Sequence, residues 1–237
     1  MSQRSSLSGL RVLVTGASRG IGRATTLALL RGGAAVLATA RDAERLASLE
    51  REVSSADLET LAVDLLDDAG GARLIGAATA RPLDGVVHSA GVCRLGSVED
   101  TSAEALDLNW QVNFREPYLL TQALLPSLRA QRGLVVFINS GAGVQAGPGW
   151  SAYAASKHAL RALANSLRSE EAGTVRVSTV YPGRTASDMQ AAVRQHEGKT
   201  YDPAAFVQPE DVAAGVCLAF QTAAPAVVEE ISIRPSG

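Results

Sequence analysis

Tyr153 and Lys157 are the pair of residues whose types and spacing most directly indicate chemistry. A helix beginning near Ser151 would place both side chains on one face, because residues four apart are neighbours on a helix. A phenol has a reference pKa of about 10, and a neighbouring ammonium group favours the phenolate by charge attraction. The pair therefore predicts proton transfer by Tyr153 near neutral pH, with Lys157 lowering the pKa of the phenol.

Ser140 lies thirteen residues before Tyr153, directly after an apolar run that ends at Asn139. A hydroxyl group in that position can donate a hydrogen bond to an oxygen atom that becomes negative during a reaction. A serine that merely stabilises a turn is the alternative interpretation. The presence of Tyr153 and Lys157 elsewhere in the chain favours the catalytic one.

A cluster of glycines follows the first apolar run, where residues 15–22 read TGASRGIG. Glycines in a turn between a strand and a helix let the backbone approach a pyrophosphate, which the N–H groups at the helix N-terminus attract. A generic turn is the alternative, but the position between strand and helix favours a nucleotide site. The spacing G-x-x-x-G-x-G departs from the dinucleotide fingerprint G-x-G-x-x-G.

Seven short apolar runs predict the buried strands that would carry these residues. They are Leu10–Thr15, Ala34–Thr39, Thr60–Val63, Leu83–His88, Leu134–Asn139, Val175–Val180 and Glu230–Ile233. The stretches between them predict helices over Gly20–Arg31, Asp42–Glu52, Asp67–Ala80, Ala103–Gln131, Ser151–Ala172 and Pro209–Thr222. This alternation predicts an α/β fold whose parallel sheet has helices on both faces, because each parallel pair of strands needs a crossover.

No linker or repeat interrupts the pattern, so we expect a single domain over residues 1–237. The polar lead from Met1 to Ser8 is expected to be flexible. The segment from Gly183 to Gln208 has no clear periodicity, and long irregular loops in compact domains are often functional. We expect its residues 184–208 to form a mobile flap over the substrate.

Composition and charge exclude several other functions. A net charge of −2 and 22 scattered Lys and Arg residues give no basic surface for nucleic acid. Val212 to Val228 is too short and too interrupted to span a membrane, and no secretory signal begins the sequence, so we expect a cytoplasmic protein. Cys93 and Cys217 lie far apart without metal-ligand spacing, so no metal site is expected.

The glycine turn, Ser140, the Tyr153 and Lys157 pair, and Pro182-Gly183 together resemble the classical short-chain dehydrogenase/reductase family over nearly the whole chain. The resemblance implies a Rossmann-like, doubly wound parallel sheet of seven strands in the order 3-2-1-4-5-6-7. It implies hydride transfer between a nicotinamide cofactor and a carbonyl or secondary alcohol substrate. It also implies a homodimer or homotetramer packed on the long helices.

The resemblance also implies the roles of individual residues. Asn113 matches the family's helix-bending asparagine, which supports a water molecule and the lysine, and it joins Ser140, Tyr153 and Lys157 as a catalytic residue; a capping or surface asparagine is the alternative. Lys157 would hold the nicotinamide ribose. The implied cofactor-binding residues are Gly16, Ser18, Arg19, Gly20, Ile21, Gly22, Arg41, Asp64, Leu65, Ser89, Ala90, Gly91, Tyr153, Lys157, Pro182, Gly183 and Thr185.

The resemblance also implies which part of the cofactor Asp64 and Thr185 would contact. Asp64 closes the third strand and would contact the adenine, with an ordinary strand-end cap as its alternative. Thr185 would bind the carboxamide or a phosphate of the cofactor.

One departure from the family follows the fourth strand, where Asn-Asn-Ala-Gly is replaced by His88-Ser89-Ala90-Gly91. Ala90 and Gly91 still allow a cofactor to approach, but the amide hydrogen bonds of both asparagines are lost. We expect His88 to be a hydrogen-bonded residue at a strand end and not a catalyst.

The end of the second strand selects between the two nicotinamide cofactors, because enzymes that use NAD place a carboxylate there on the ribose hydroxyl. This chain has Ala40 followed by Arg41. Arg41 and Arg19 would bind the additional phosphate, which carries about −1.5 to −2 charges at neutral pH. Asp42 is the competing carboxylate, but its position before a helix suits an N-cap. NADP(H) is therefore favoured over NAD(H).

The substrate is expected to enter between Val92–Gly96, Val144–Trp150 and the flap, whose mixed apolar walls favour an uncharged ketone or secondary alcohol over an anion. Arg94, Gln145 and Arg184 would then contact a polar tail or remain on the surface. The leading hypothesis is an NADP(H)-dependent oxidoreductase. The alternative is a regulatory protein that senses the cofactor without turnover, which the retention of the catalytic residues disfavours.

Overall fold

Seven parallel strands form the centre of the computed structural model, which describes residues 6–236. The strands are β1 Arg11–Thr15, β2 Ala35–Ala40, β3 Leu58–Ala62, β4 Gly85–His88, β5 Leu134–Ile138, β6 Arg176–Pro182 and β7 Glu230–Ile233. Their order is β3-β2-β1-β4-β5-β6-β7, and every neighbouring pair is parallel. The expected Rossmann-like α/β fold is confirmed.

Helices connect these strands and cover both faces of the sheet. They are α1 Gly20–Arg31, α2 Ala43–Val53, α3 Asp68–Thr79, α4 Ala103–Trp110, α5 Glu116–Gln131, α6 Ser151–Glu170, α7 Asp188–His196 and α8 Pro209–Gln221. A π-helical turn over Gln111–Arg115 joins α4 to α5, and 3₁₀ turns occupy Gly141–Gly143 and Pro203–Ala205.

Two apolar cores result from the alternation of side chains along each strand. Val12 and Val14 of β1 point into a core shared with α1, α2 and α8. Leu13 points the opposite way, into a core shared with α3, α5 and α6. Because both faces are covered, the central strands β1 and β5 are buried along their whole length and read as nearly continuous apolar runs. The strand order reverses beside β1, and in such sheets ligands bind at the carboxyl ends of the strands near that point.

The segment between β6 and α8 is more regular than the sequence indicates, because it contains helix α7. Ser187 caps that helix by accepting a hydrogen bond from the Gln190 N–H at 3.2 Å. Gly198 follows the helix with a φ of +65°, a conformation that favours glycine. The capping signature S-x-x-Q at residues 187–190 is the sequence signal that predicts this helix start.

The ends of other elements also differ from the expectation. The helix predicted over Ala103–Gln131 is divided by the π turn, and β3 begins at Leu58 instead of Thr60. Leu7 belongs to the segment that was expected to be flexible, but its side chain is buried and its N–H donates a hydrogen bond to the Gly32 carbonyl at 2.8 Å. Residues 1–5 of the lead lie outside the described residues. Within residues 6–236, no helix has the length and apolar character needed to cross a membrane.

Candidate active site

Tyr153 and Lys157 lie on one face of α6, and both side chains are buried. The Lys157 Nζ is 6.0 Å from the centroid of the Tyr153 ring. It donates a hydrogen bond to the carbonyl of Ile138, at the end of β5, at 3.0 Å. This contact fixes the ammonium group between the sheet and the phenol.

The pKa values of this pair differ from the simple expectation. Burial raises the pKa of Tyr153 above its ordinary value, and the hydrogen bond with Ser140 opposes that rise without cancelling it. Burial also lowers the pKa of Lys157 to about 8. The net direction is opposite to the predicted lowering by Lys157, because burial of the phenol disfavours the charged phenolate and Lys157 is not among the groups that shift the pKa of Tyr153. Tyr153 is protonated at neutral pH, the state required of a proton donor.

Ser140 performs the structural role of the alternative interpretation and also faces a cavity. Its Oγ accepts a hydrogen bond from the Ala142 N–H at 3.1 Å and caps the following 3₁₀ turn. The hydroxyl proton is still available, because a hydroxyl group can accept and donate at the same time. Ser140 and Tyr153 line the same cavity, so the turn and the catalytic interpretations are compatible.

Asn113 lies in the π turn and is completely buried, which excludes a surface role. Its amide exchanges two hydrogen bonds with the backbone of Val92, both at 2.9 Å. It also donates to the Ser156 hydroxyl at 3.0 Å. Asn113 thus connects the loop after β4 to α6, and π turns of this kind are frequent at functional sites. The sequence pattern does not indicate that Ser156 belongs to this network.

The glycine turn after β1 is so tightly packed that side chains are excluded. A Cβ atom on Gly16 would lie 2.7 Å from the Ala90 Cα, and one on Gly22 would lie 2.3 Å from the Gly16 carbonyl oxygen. Gly16 also has a φ of +68°. These glycines allow the turn to pack closely, and the residues at the start of α1 line a cavity, the position in which helix N–H groups attract a phosphate group.

The residues that replace the family's two asparagines are held by other contacts. Thr15 accepts hydrogen bonds from the N–H groups of Ser89 and Ala90, both at 3.1 Å. His88 is buried, with its Nε2 2.9 Å from the Thr121 hydroxyl and its ring stacked on Phe137. Burial lowers the pKa of His88 to about 3, so the ring is neutral. The expected structural role of His88 is confirmed.

Two adjoining cavities lie at the carboxyl ends of the strands. The first cavity, of about 430 Å³, runs along the glycine turn and past Asn113 and Lys157. It brings together fourteen of the predicted cofactor residues: Gly16, Ser18, Arg19, Gly20, Ile21, Gly22, Arg41, Asp64, Leu65, Ser89, Ala90, Gly91, Tyr153 and Lys157.

The second cavity, of about 380 Å³, contains the three predicted cofactor residues that do not line the first: Pro182, Gly183 and Thr185. The Thr185 hydroxyl already donates to the Gly183 carbonyl at 3.1 Å. Tyr153 lines both cavities, so the phenol lies at their junction.

Charged residues at the mouth of the first cavity include two that the sequence analysis missed, Arg45 and Asp188. The Asp188 carboxylate lies 3.0 Å from Arg45 and 3.3 Å from Arg19. Asp42 caps α2 by accepting from the Arg45 N–H at 3.0 Å, as expected for an N-cap. The position of Arg45 in the first turn of α2, directly after the end of β2, is the signal that would have identified it.

Arg41 and Asp64 contact each other at the same mouth. Their side chains are 3.8 Å apart. Asp64 also accepts from the Leu66 N–H at 3.0 Å, so its role as a strand-end cap is compatible with a place in the cavity wall.

Comparisons with known proteins agree with this geometry. Residues 11–198 match the family model described as short chain dehydrogenase. The chain is 34% identical over 241 residues to sepiapterin reductase of Chlorobaculum tepidum, covering 95% of this chain and 96% of that protein. It is 35% identical over 239 residues to glycine betaine reductase of Emericella nidulans, covering 97% of this chain but only 19% of that much longer protein.

A solved structure is similar over nearly its whole length. It is the alcohol dehydrogenase of the archaeon Thermococcus sibiricus in complex with 5-hydroxy-NADP, with a TM-score of 0.86 and 25% identity over 96% of this chain and 97% of that one. The chain therefore belongs to the short-chain dehydrogenase/reductase family of oxidoreductases.

Proposed function

We propose that this chain transfers hydride between NADP(H) and a carbonyl compound or secondary alcohol, with Tyr153 as the acid and base. The observation that carries the proposal is the position of the Tyr153 phenol at the junction of two cavities. One cavity has the glycine turn of a nucleotide site, and the other has the Ser140 hydroxyl beside the phenol. An acid between two bound reactants is the arrangement that hydride transfer with protonation requires.

The first cavity suits a dinucleotide in shape and charge. Cβ atoms at Gly16 and Gly22 would collide with backbone, and the N–H groups at the start of α1 attract phosphate groups. Arg19, Arg41 and Arg45 line the mouth, while β2 ends in Ala40 without a carboxylate. The bound 5-hydroxy-NADP of the similar archaeal enzyme supports NADP(H) as the cofactor.

When bound, the cofactor supplies or accepts the hydride, and side chains of the protein donate or accept the proton. The Ser140 hydroxyl donates a hydrogen bond to the substrate oxygen, which stabilises the charge that develops on it. The Tyr153 phenol then donates its proton to that oxygen. The raised pKa of Tyr153 suits it to the reductive direction, since the proton is retained until the substrate oxygen becomes basic. In the oxidative direction the same two groups act in reverse.

Lys157 would fix the position of the cofactor relative to Tyr153, the proposed acid. Its Nζ uses one donor on the Ile138 carbonyl, and an ammonium group has three. The remaining donors are available to ribose hydroxyls in the first cavity, which Lys157 lines. Pro182, Gly183 and Thr185 would border the nicotinamide from the side of the second cavity.

We also propose that the chain forms a homodimer or homotetramer through α4 and α5. Four large apolar side chains on these helices are exposed: Leu106, Trp110, Tyr118 and Leu119. Exposed apolar groups concentrated on adjacent helices are typical of an interface.

The function is tested by following NADPH oxidation with a panel of ketones and aldehydes, with Tyr153→Phe as the matched control. We expect turnover of at least one carbonyl compound, and a large loss of it in the variant. Tight NADPH binding with no turnover of any substrate would contradict the proposal and support a regulatory protein that senses the cofactor.

A further inference from the structure

The second cavity has a positive charge balance that the sequence does not reveal. Among the described residues that line it, two are arginines, Arg184 and Arg234, and none is Asp or Glu. Arg234 follows β7 near the end of the chain, far in sequence from the other residues of the site. The position of this arginine changes the class of substrate that suits the cavity.

The two arginines differ in whether their charge is already compensated. Arg184 makes two hydrogen bonds to the Glu197 carboxylate, at 2.8 and 2.6 Å, and its guanidinium lies over the Trp150 ring. Arg234 instead donates to the backbone carbonyls of Tyr181 and Ile233. Within residues 6–236, no carboxylate lies in ion-pair range of Arg234, so its charge is available to a ligand.

Arg234 is also close to the atoms proposed to carry the reaction. Its Nη2 would lie 3.4 Å from a Cβ atom built on Gly141, the residue that directly follows Ser140. Because Ser140 is proposed to hold the reacting oxygen, a negative group bound by Arg234 would be only a few bonds from the reacting carbonyl carbon.

Gln190 provides a second, independent indication of a ligand. It lies on α7, lines the second cavity and is only 7% exposed. Its Nε2 is buried and has no hydrogen-bond partner among the described residues. An unpaired buried donor destabilises a protein unless it is satisfied by another group, such as an oxygen atom of a ligand.

We propose that the second cavity binds a carbonyl substrate that carries a carboxylate close to the reacting carbon, a 2-oxo or 3-oxo acid or the corresponding hydroxy acid. The carboxylate binds Arg234, and the Gln190 amide donates to an oxygen atom of the substrate. This substrate class replaces the uncharged ketone that the sequence favours, because the sequence does not place Arg234 beside Ser140. The proposal rests on the proposed function.

The carboxylate is unchanged in the reaction. During reduction, the carbonyl carbon accepts hydride from NADPH and the carbonyl oxygen accepts the proton of Tyr153, so that the C=O π bond becomes one C–H and one O–H bond. NADPH is oxidised to NADP⁺, and the phenol recovers its proton from solvent.

Calorimetric titration of the protein saturated with NADP⁺ tests the proposal without requiring turnover. The probes are mandelate and 3-hydroxybutyrate, each compared with its methyl ester. We expect each acid to bind at least about tenfold more tightly than its ester, because hydrogen bonds to charged groups are the stronger ones. Equal or tighter binding of both esters would overturn the proposal.

Variants of Arg234 and Gln190 test whether these residues cause the preference for the acid over its ester. Arg234→Gln is expected to remove the preference for the acid, and Arg234→Lys is expected to retain part of it. Arg73→Gln, at an exposed arginine on α3, is expected to leave the preference unchanged. Gln190→Leu is expected to weaken acid and ester alike while the melting temperature stays equal or rises. An unchanged preference in Arg234→Gln would assign the carboxylate to another group and refute the proposal.

Turnover of benzoylformate and methyl benzoylformate separates the two proposals. NADPH oxidation with the ester but not the acid would support the proposed function and contradict the substrate class. Preferential binding of mandelate that depends on Arg234, without turnover of these two compounds or of any ketone or aldehyde in the panel, would support the binding site and contradict the proposed function.

Discussion

The Asp188 carboxylate on α7 lies 3.0 Å from the Arg45 guanidinium on α2, across the mouth of the first cavity. The same carboxylate oxygen is 3.3 Å from Arg19. Hydrogen bonds from Arg45 and Arg19 hold the pKa of Asp188 below its usual range. Without a bound cofactor, the Asp188 carboxylate therefore forms ion pairs with Arg19 and Arg45, two of the cations proposed to bind the additional phosphate of NADP(H).

Asp188→Asn is expected to tighten NADPH binding, because it removes a competing negative charge from these arginines. Exposed ion pairs contribute about 0.2–1 kcal/mol, so the expected gain is roughly 1.4- to 5-fold. NADH lacks the phosphate and is expected to bind unchanged. Fluorescence titration with both cofactors measures this, with Asp107→Asn on α4 as the control. A parallel gain for NADH would show that the effect does not involve the phosphate.

The preference for NADPH over NADH is expected to reverse when residues 40 and 41, at the end of β2, are substituted. Ala40→Asp combined with Arg41→Ala introduces a carboxylate that repels the phosphate and removes a cation that attracts it. The unchanged chain is expected to bind NADPH more tightly than NADH, and the double variant to bind NADH more tightly. If the unchanged chain bound both cofactors equally, the phosphate contact assigned to Arg41 would be wrong.

Tyr153→Phe is expected to reduce turnover by roughly 10²–10⁴, the usual contribution of positioned acid and base catalysis. NADPH binding and the melting temperature are expected to change little, since the ring and its packing are retained. Lys157→Ala is expected to reduce both turnover and NADPH affinity, because it removes a proposed ribose contact. Steady-state kinetics and cofactor titrations on the two variants distinguish these outcomes, and near-normal turnover in Tyr153→Phe would exclude the phenol as the acid.

The same residues are expected to act as a unit. Because losses from cooperating groups do not add, Ser140→Ala combined with Tyr153→Phe is expected to cost less than the product of the two single effects. Fully multiplicative losses would indicate that Ser140 and Tyr153 act independently.

Local patterns predicted the alternation of strands and helices and the glycine turn, whereas the strand order was implied by the family resemblance. The central strand β5 is an uninterrupted apolar run, and Gly22 is required by its contact with the carbonyl of the nearby Gly16. The Asp42 cap could also be recognised, because an N-cap acts on residues directly after it. Such features depend on neighbours in sequence.

Contacts between distant segments explain what could not be predicted. Arg234 approaches Ser140 only because β7 lies beside β6 in the sheet, and Asp188 meets Arg45 because α7 crosses the mouth of the first cavity. The pKa of Tyr153 depends on burial by the tertiary structure, which the spacing to Lys157 does not indicate. Helix α7 is the exception, since its capping residues were visible in the sequence.

Trp110→Glu is expected to weaken the proposed oligomer by placing a charge among the exposed apolar residues of α4 and α5. Trp110 is 43% exposed and contacts the Phe114 ring. Central tryptophans of interfaces often contribute 2 kcal/mol or more, so the dissociation constant is expected to rise by about 30-fold or more. Sedimentation velocity over a concentration series measures this. Val98→Glu, at a residue 83% exposed outside these helices, is the control, and a monomeric unchanged chain would contradict the proposal.

His88 is expected to make the fold sensitive to acid. Burial lowers its pKa from an ordinary value of 6.5 to about 3, so below pH 6.5 the unfolded chain binds a proton that the folded chain does not. Its contribution to stability is therefore fully present above pH 6.5 and is lost progressively as the pH falls toward 3. Between pH 7 and 5 the loss is about 2 kcal/mol.

His88→Asn is expected to remove that part of the pH dependence, since asparagine does not titrate. Urea denaturation of both proteins at pH 7 and pH 5 gives the change in the free energy of unfolding for each. The unchanged chain is expected to lose about 2 kcal/mol more than the variant over this interval, whatever the difference between them at pH 7. His196→Asn, which removes an exposed histidine of α7, is expected to behave like the unchanged chain. Equal losses in all three proteins would mean that His88 accepts a proton in the folded state, in spite of its contacts with Thr121 and Phe137.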